Sequence, residues 1–128
     1  MHATGPFDVK LAPQPSDDAS LGRMSLDKHY HGDLDATGTG QMLTGGDFKT
    51  GSAAYVAMEK VTGTLKGRTG TFLMQHSGTL TRGAQQLSII IVPDSGTGQL
   101  AGIAGKMDVK ITEGKHSYEL EYTLPYAK

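Results

Sequence analysis

The stretch from Gln85 to Gly105 constrains the fold most, because an apolar run is followed there by closely spaced glycines. Leu87–Val92 is the most apolar segment of the chain, and Pro93 ends it because proline has no N–H to donate to a β-ladder. The glycines that follow favour tight turns and close contacts between strands. We predict a buried strand, a tight glycine corner and a returning strand at Lys106–Ile111.

Alternation of apolar and polar residues predicts the remaining strands. The alternation is sharpest in His116–Leu124, whereas Ala53–Leu65 mixes helix-favouring residues with β-branched ones and is predicted as a strand. Ala12–Ser20 contains two prolines and is predicted as a polar turn that cannot be a strand, and Gly45 and Gly46 are expected to end the third strand. The predicted strands are 7–11, 21–30, 34–43, 53–65, 71–80, 87–92, 106–111 and 116–124.

About eight strands with short hairpins form either a sandwich or a closed barrel. A barrel removes the exposed edges that strands of this length would otherwise present, and its interior holds side chains or one small ligand. We therefore predict an all-β chain whose residues 1–128 form a single domain, one closed antiparallel barrel.

Composition excludes several classes of function. The chain has no cysteine, so disulfides and thiolate-metal sites are impossible, and its formal net charge of −1 argues against nucleic acid as a partner. No apolar run is long enough to span a membrane, and the N-terminal residues lack the features of a signal peptide. The expected location is the cytoplasm.

One carboxylate is expected inside the barrel. Glu59 shares strand parity with Tyr55 and Val61, and His76 on the next strand lies in line with the apolar residues Phe72 and Met74. A Glu–His pair in a dry pocket is a general acid–base device. Two alternatives stay open: Glu59 faces solvent and His76 is structural, or the neighbouring apolar side chains of strand 53–65 point inward instead.

Other polar residues are weaker candidates. His116, Tyr118 and Tyr122 share an inward face, which suits either a small amphipathic ligand or plain core packing. His29, His31 and Asp35 partly match a cupin metal motif, but Gly32 after His31 favours a bend that separates the ligands, and Asp replaces Glu. We expect two surface histidines, no bound metal and no cofactor, with Asp33 capping the adjacent turn.

Two segments carry a resemblance to known families. GTGQLAGIAGKMDVKI followed by HSYELEYTLP resembles a pattern of allene oxide cyclases and dirigent proteins. More closely, the chain resembles DUF3224, a bacterial family of unknown function, through KHYHGDLDATGTGQML, SAAYVAMEKVTGTLKGRTGTF, QHSGTL and VPDSGTGQLAGIAG. The resemblance implies a barrel like that of allene oxide cyclase and other calycin-like folds. It does not imply the cyclase reaction, because the chain lacks the long N-terminal loop that helps line the cyclase pocket.

Three functional hypotheses follow for the barrel. In the first it is a cofactor-free isomerase or cyclase of a small apolar substrate, with Glu59 and His76 as acid–base pair. In the second it is a lipocalin-like carrier of an apolar or amphipathic molecule, without chemistry. In the third its own side chains fill it, and it acts through its surface or as a homo-oligomer. The predicted substrate-binding residues are Tyr55, Phe72, Met74, His116, Tyr118 and Tyr122.

Overall fold

The computed structural model describes residues 1–15, 20–47 and 49–125, which form a closed barrel of eight antiparallel strands. Each strand pairs with the next, and the first pairs with the last through His2–Phe7. In the described residues one 3-10 turn, Gly98–Leu100, is the helical element, and no helix there is long and apolar enough to cross a membrane. The all-β class and the closed antiparallel barrel are thus confirmed. The strands are β1 His2–Gln14, β2 Leu21–Tyr30, β3 Leu34–Asp47, β4 Ser52–Leu65, β5 Arg68–Thr81, β6 Ala84–Ile91, β7 Ala104–Thr112 and β8 Lys115–Thr123.

Several predicted strand bounds were wrong. Three strands begin earlier than predicted: β1 at His2 rather than at residue 7, β5 at Arg68 rather than at 71, and β6 at Ala84 rather than at 87. The structure continues β1 to Gln14, although its last residues were predicted as part of a polar turn. Proline is tolerated at position 13 because β1 pairs with β8 only up to Phe7, so beyond this point one edge of β1 needs no N–H donor for that ladder. Similarly, β3 continues through Gly45 and Gly46, since β4 pairs with it along its whole length. Residues 16–19 of the predicted turn lie outside the described residues.

The predicted glycine corner is a longer connection, residues 92–103, that covers one end of the barrel. Its Ser95 hydroxyl accepts a hydrogen bond from the Leu73 N–H of β5 at 3.0 Å, and its Thr97 N–H donates to the Thr71 carbonyl at 2.8 Å. Leu100 and Ile103 are each 1% exposed. The prediction of a tight corner was wrong. The segment is long enough to cross the end of the barrel, and it does so because this buries its two apolar side chains against the core.

The apolar run that precedes this connection is only partly buried. Ile89 and Ile91 point into the barrel and are buried, whereas Ile90 points outward and is 40% exposed. Leu87 faces inward by parity, yet it is 45% exposed because it lies at the uncovered end. The prediction of a wholly buried strand was therefore wrong, and the period of two applies here as well.

The interior divides into two halves. In the half beneath the connection, which we call the capped half, side chains such as Leu34, Leu65 and Phe72 are at most 1% exposed. In the other half, which we call the open half, the inward positions Leu11 and Ile111 are 48% and 66% exposed. A polar layer lies between the two halves.

Candidate functional site

A buried carboxylate organises the polar layer. Glu59 on β4 is 1% exposed, and its Oε1 accepts a hydrogen bond from Lys28 Nζ at 3.1 Å. The same oxygen lies 2.8 Å from His76 Nε2, and Oε2 accepts the Tyr30 hydroxyl at 2.5 Å. Both carboxylate oxygens are thus occupied by protein groups, as a buried charge requires.

A glycine on the intervening strand makes this network possible. Lys28 and Tyr30 lie on β2, Glu59 lies on β4, and β3 passes between these two strands. Gly38 of β3 pairs with Lys28 on one side, and a Cβ at this position would overlap Glu59 Oε2. The missing side chain therefore leaves the space through which β2 and β4 side chains meet.

The electrostatics of the layer keep Glu59 charged. Burial alone would raise the pKa of Glu59, but the hydrogen bond from His76, the charge of Lys28 and the hydrogen bond from Tyr30 together hold it below the ordinary value of 4.5. Burial, followed by the adjacent Glu59 charge, raises the pKa of Tyr30. At neutral pH Glu59 is an anion and Tyr30 is a neutral donor to it.

A cavity of about 260 Å³ occupies the open half, directly above the polar layer. Its walls are mostly apolar, and Lys28 and His76 bring polar atoms to it, whereas Glu59 is not part of the lining. Uncharged polar residues, including Thr79, stand elsewhere in the lining. The apolar wall consists mainly of Phe7, Val9, Leu11, Leu26, Met42, Tyr55, Leu80, Leu87, Ile89, Val109 and Ile111.

One nitrogen of His76 is open to this cavity. Nε2 contacts Glu59, whereas Nδ1 has no hydrogen-bond partner in the described parts of the chain. No buried side-chain nitrogen or oxygen in those parts lacks a partner, so Nδ1 is not fully buried and faces the cavity that His76 lines. The ring is therefore oriented by Glu59 on one side and presents its second nitrogen to the cavity on the other.

Comparison with known proteins identifies the family but no activity. The sequence profile of DUF3224, described as a protein of unknown function, matches residues 3–122. The chain belongs to the DUF3224 family. A crystal structure of a DUF3224 protein of unknown function from Shewanella oneidensis MR-1 is 42% identical, with a TM-score of 0.93 over 99% of this chain and 98% of that one. None of the curated proteins compared with this DUF3224 chain matches it.

Only part of the predicted site of this DUF3224 chain comes together. Glu59 and His76 are hydrogen-bonded to each other, and Tyr55 lies in the cavity wall. The other predicted ligand contacts lie outside the cavity lining. Phe72 and Met74 are buried core residues. Tyr122, which lies close to the end of β8, is buried as well.

His116 and Tyr118 have structural surroundings. The His116 ring packs against Phe7 at 5.3 Å between centroids. The Tyr118 hydroxyl accepts the Leu34 N–H at 2.8 Å and donates to the His31 carbonyl at 2.7 Å, so it ties the β2–β3 turn to β8. Strand parity predicts that these side chains point inward but does not predict their depth in the barrel.

Sequence reasoning missed Lys28 and Tyr30 as members of the site. Lys28 lies between Leu26 and Tyr30 on the apolar parity of β2, and this position was the available signal. Lysine is rarely buried without a partner, and the partner Glu59 is two strands away across Gly38. The pairing is therefore invisible to reasoning from neighbouring strands.

The cupin-like histidines are arranged differently from a metal site. The rings of His29 and His31 stack at 4.5 Å between centroids, and His31 Nε2 lies 3.2 Å from Asp8. Within residues 1–15, 20–47 and 49–125, no three His, Cys, Asp or Glu side chains are grouped to hold a metal ion. Asp33 accepts the Thr4 N–H at 3.0 Å and so fastens the turn to β1.

Proposed function

We propose that this protein binds one small, mainly apolar or amphipathic molecule in the open half of its barrel. The observation that carries the proposal is the cavity of about 260 Å³ with apolar walls and two polar groups at its floor. Small-molecule sites usually combine such walls with a few polar groups that fix the ligand's orientation. The volume lies just below the common range of about 300–1,000 Å³, which favours a ligand smaller than a typical drug.

Binding of an uncharged apolar dye tests the cavity without involving any head group. N-phenyl-1-naphthylamine, whose fluorescence rises on burial, is expected to bind the wild-type protein and to be displaced by apolar competitors. Native mass spectrometry of the purified protein is expected to show a mass increment from a bound molecule. The absence of any dye binding at saturating protein would contradict the proposal.

Two neighbouring tryptophan substitutions on β7 provide a matched pair for this assay. Val109 lines the cavity, whereas Lys110 points outward and makes only an exposed ion pair with Glu119 at 3.1 Å. Val109→Trp is expected to fill the cavity and abolish dye binding, and Lys110→Trp is expected to leave it unchanged. Circular dichroism establishes that both variants are folded, and equal binding by the two would contradict the assignment of this cavity.

A second candidate function is proton transfer on the bound molecule, as in a cofactor-free isomerase or cyclase. It is supported by His76, which Glu59 holds from behind while Nδ1 faces the cavity. In this arrangement His76 moves the proton, Glu59 orients it and Tyr55 contacts the substrate. Exchange of the α-protons of 2-octanone in D2O, followed by NMR, tests this. Exchange is expected to be faster with wild type than with Glu59→Gln, and equal rates would leave the carrier function.

The remaining parts of the proposal are independent of the cavity. The likeness of the 92–103 connection and the last hairpin to allene oxide cyclases, and a cytoplasmic location, stay predictions. Neither is needed for ligand binding in the open half.

A further inference from the structure

We propose that the bound molecule carries a carboxylate, which Lys28 holds at the cavity floor while its hydrocarbon part points to the barrel mouth. This inference rests on the proposed binding function and names the ligand class. Its basis is the set of donors and charges that the protein presents to the cavity.

Lys28 has N–H donors that no described residue of the chain occupies. Its side chain is 8% exposed, and its ammonium group has three N–H donors, of which the structure pairs one with Glu59 Oε1. The ammonium also lies 5.2 Å from the centre of the Phe7 ring and 5.7 Å from that of Tyr30, so two aromatic rings adjoin it. A ligand oxygen in the cavity satisfies the remaining donors where few waters can reach them.

The charges of the floor favour an anion over a neutral group. The cavity lining contains Lys28 and no Asp or Glu among the described residues. Glu59 lies behind Lys28 and His76, and its two oxygens are already shared among three partners. The Lys28 ammonium can therefore donate to a ligand carboxylate as well as to Glu59, and hydrogen bonds to a charged acceptor are stronger than those to a neutral group.

The size and shape of the cavity limit the rest of the ligand. Its volume of about 260 Å³ equals the liquid volume of roughly nine water molecules. A chain of about eight carbons bearing a carboxylate fits this volume, and the exposed side chains of Leu87 and Ile111 at the mouth cover its end. Octanoate is accordingly the probe of choice.

Matched eight-carbon probes test the head group by calorimetric titration of the intact protein at pH 6.5. Octanoate is expected to bind about tenfold or more tightly than 1-octanol, because a hydrogen-bonded charge contributes more than a neutral hydroxyl. Octylamine is expected to bind more weakly than either. Lys28→Met is expected to remove the preference for octanoate while 1-octanol still binds, and Lys60→Met, on the outer face of β4, is expected to retain it.

Each outcome decides between the two proposals. Equal binding of octanoate and 1-octanol, or tighter binding of octylamine, overturns the carboxylate class and leaves the cavity intact as a binding site. Failure of all three probes and of the neutral dye overturns the binding function itself. Should Lys28→Met fail to fold, the wild-type comparison of the three probes still decides, because it needs no variant. Retention of the preference by a folded Lys28→Met protein overturns the role of Lys28.

Discussion

The two halves of the barrel are built from the same strands, but one half is tightly packed and the other surrounds a cavity. The capped half is filled by side chains such as Leu65, Phe72 and Leu100, each at most 1% exposed, and the 92–103 connection seals it. The open half has inward side chains of the same apolar kind, yet Leu87 and Ile111 are 45% and 66% exposed around a cavity. Burial of apolar area therefore stabilises the capped half. The open half leaves part of its apolar area exposed to solvent around the cavity and gains less stability from burial.

The polar layer explains why the two halves do not merge into one packed core. Lys28, Glu59 and His76 occupy inward positions where an apolar barrel would place leucine or valine. Replacement of a buried ion pair by packed apolar groups is often neutral or stabilising, so stability alone does not account for the layer, and the proposed binding function gives it a role. The difference between the halves teaches that a barrel can keep a cavity where polar groups interrupt its packing.

The largest expected effect comes from breaking the polar layer. Glu59→Leu leaves the Lys28 ammonium buried without its counter-ion, and we expect a loss of about 3–5 kcal/mol in the free energy of unfolding, measured with urea. The double variant Lys28→Met/Glu59→Leu is expected to recover more than half of this loss, because no unpaired charge remains. A loss below about 1 kcal/mol for the single variant would mean that the ion pair is unimportant to the fold.

The next largest effect compares the two halves with the same substitution. Leu100→Ala in the capped half is expected to cost about 2–5 kcal/mol, because a fully buried leucine leaves a cavity. Leu87→Ala at the open mouth is expected to cost less than about 1 kcal/mol, since that side chain is already 45% exposed. Urea unfolding of both variants checks this, and similar losses would show that the open half is packed as tightly as the capped half.

Two glycines of similar conformation sharpen the same contrast. Gly102 and Gly114 have φ angles of 81° and 78°, but a Cβ at Gly102 meets the ring of Pro125 whereas a Cβ at Gly114 meets nothing within 4 Å. Valine at 114 is expected to cost about 1 kcal/mol from backbone strain alone. Valine at 102 is expected to cost roughly 1–3 kcal/mol more, from overpacking at the capped end.

Thermal unfolding measures the glycine pair, with the exposed Lys106→Ala as a control expected to stay within about 0.5 kcal/mol. Gln99 is a poorer control because its Oε1 accepts the Thr69 N–H at 2.9 Å. Equal midpoints for the two valine variants would mean that the connection does not pack against the barrel end.

The smallest expected effect is the dependence of the free energy of unfolding on pH that the ionisation of Glu59 causes. The pKa of Glu59 is lower in the folded protein than its ordinary 4.5, so its ionisation stabilises the fold above that pH, and this contribution is lost as the pH falls through the folded-state value. Stability curves at several pH values below 5 are expected to fall more steeply for wild type than for Glu59→Gln. Parallel curves would contradict the charged state assigned to Glu59.

The fold was accessible from sequence because strand parity is a local property. The alternation in β8 and the pairing of Glu59 with His76 on adjacent strands both follow from a period of two. The Lys28–Glu59 contact was not accessible, because it spans two strands and depends on the empty position at Gly38. Depth along the barrel was also hidden, so Tyr118 was predicted at a ligand, although its hydroxyl is bonded to the backbone of the β2–β3 turn.

The prediction for the connection at residues 92–103 was wrong for a related reason. Its glycines predict turns, but the burial of Leu100 and Ile103 depends on strands far along the chain. A sequence that is locally turn-like can therefore act as a lid over a core, and only the tertiary structure distinguishes that role from a hairpin corner.

Amide chemical shifts of the isotope-labelled protein during titration with octanoate test the contrast between the halves most directly. The account predicts that the largest shifts occur at open-half residues, led by Leu87, Val109 and Ile111, while Leu100 and Ile103 stay unchanged. Shifts centred on the capped half or on the outer face of the strands, or no shifts at millimolar octanoate, would contradict it.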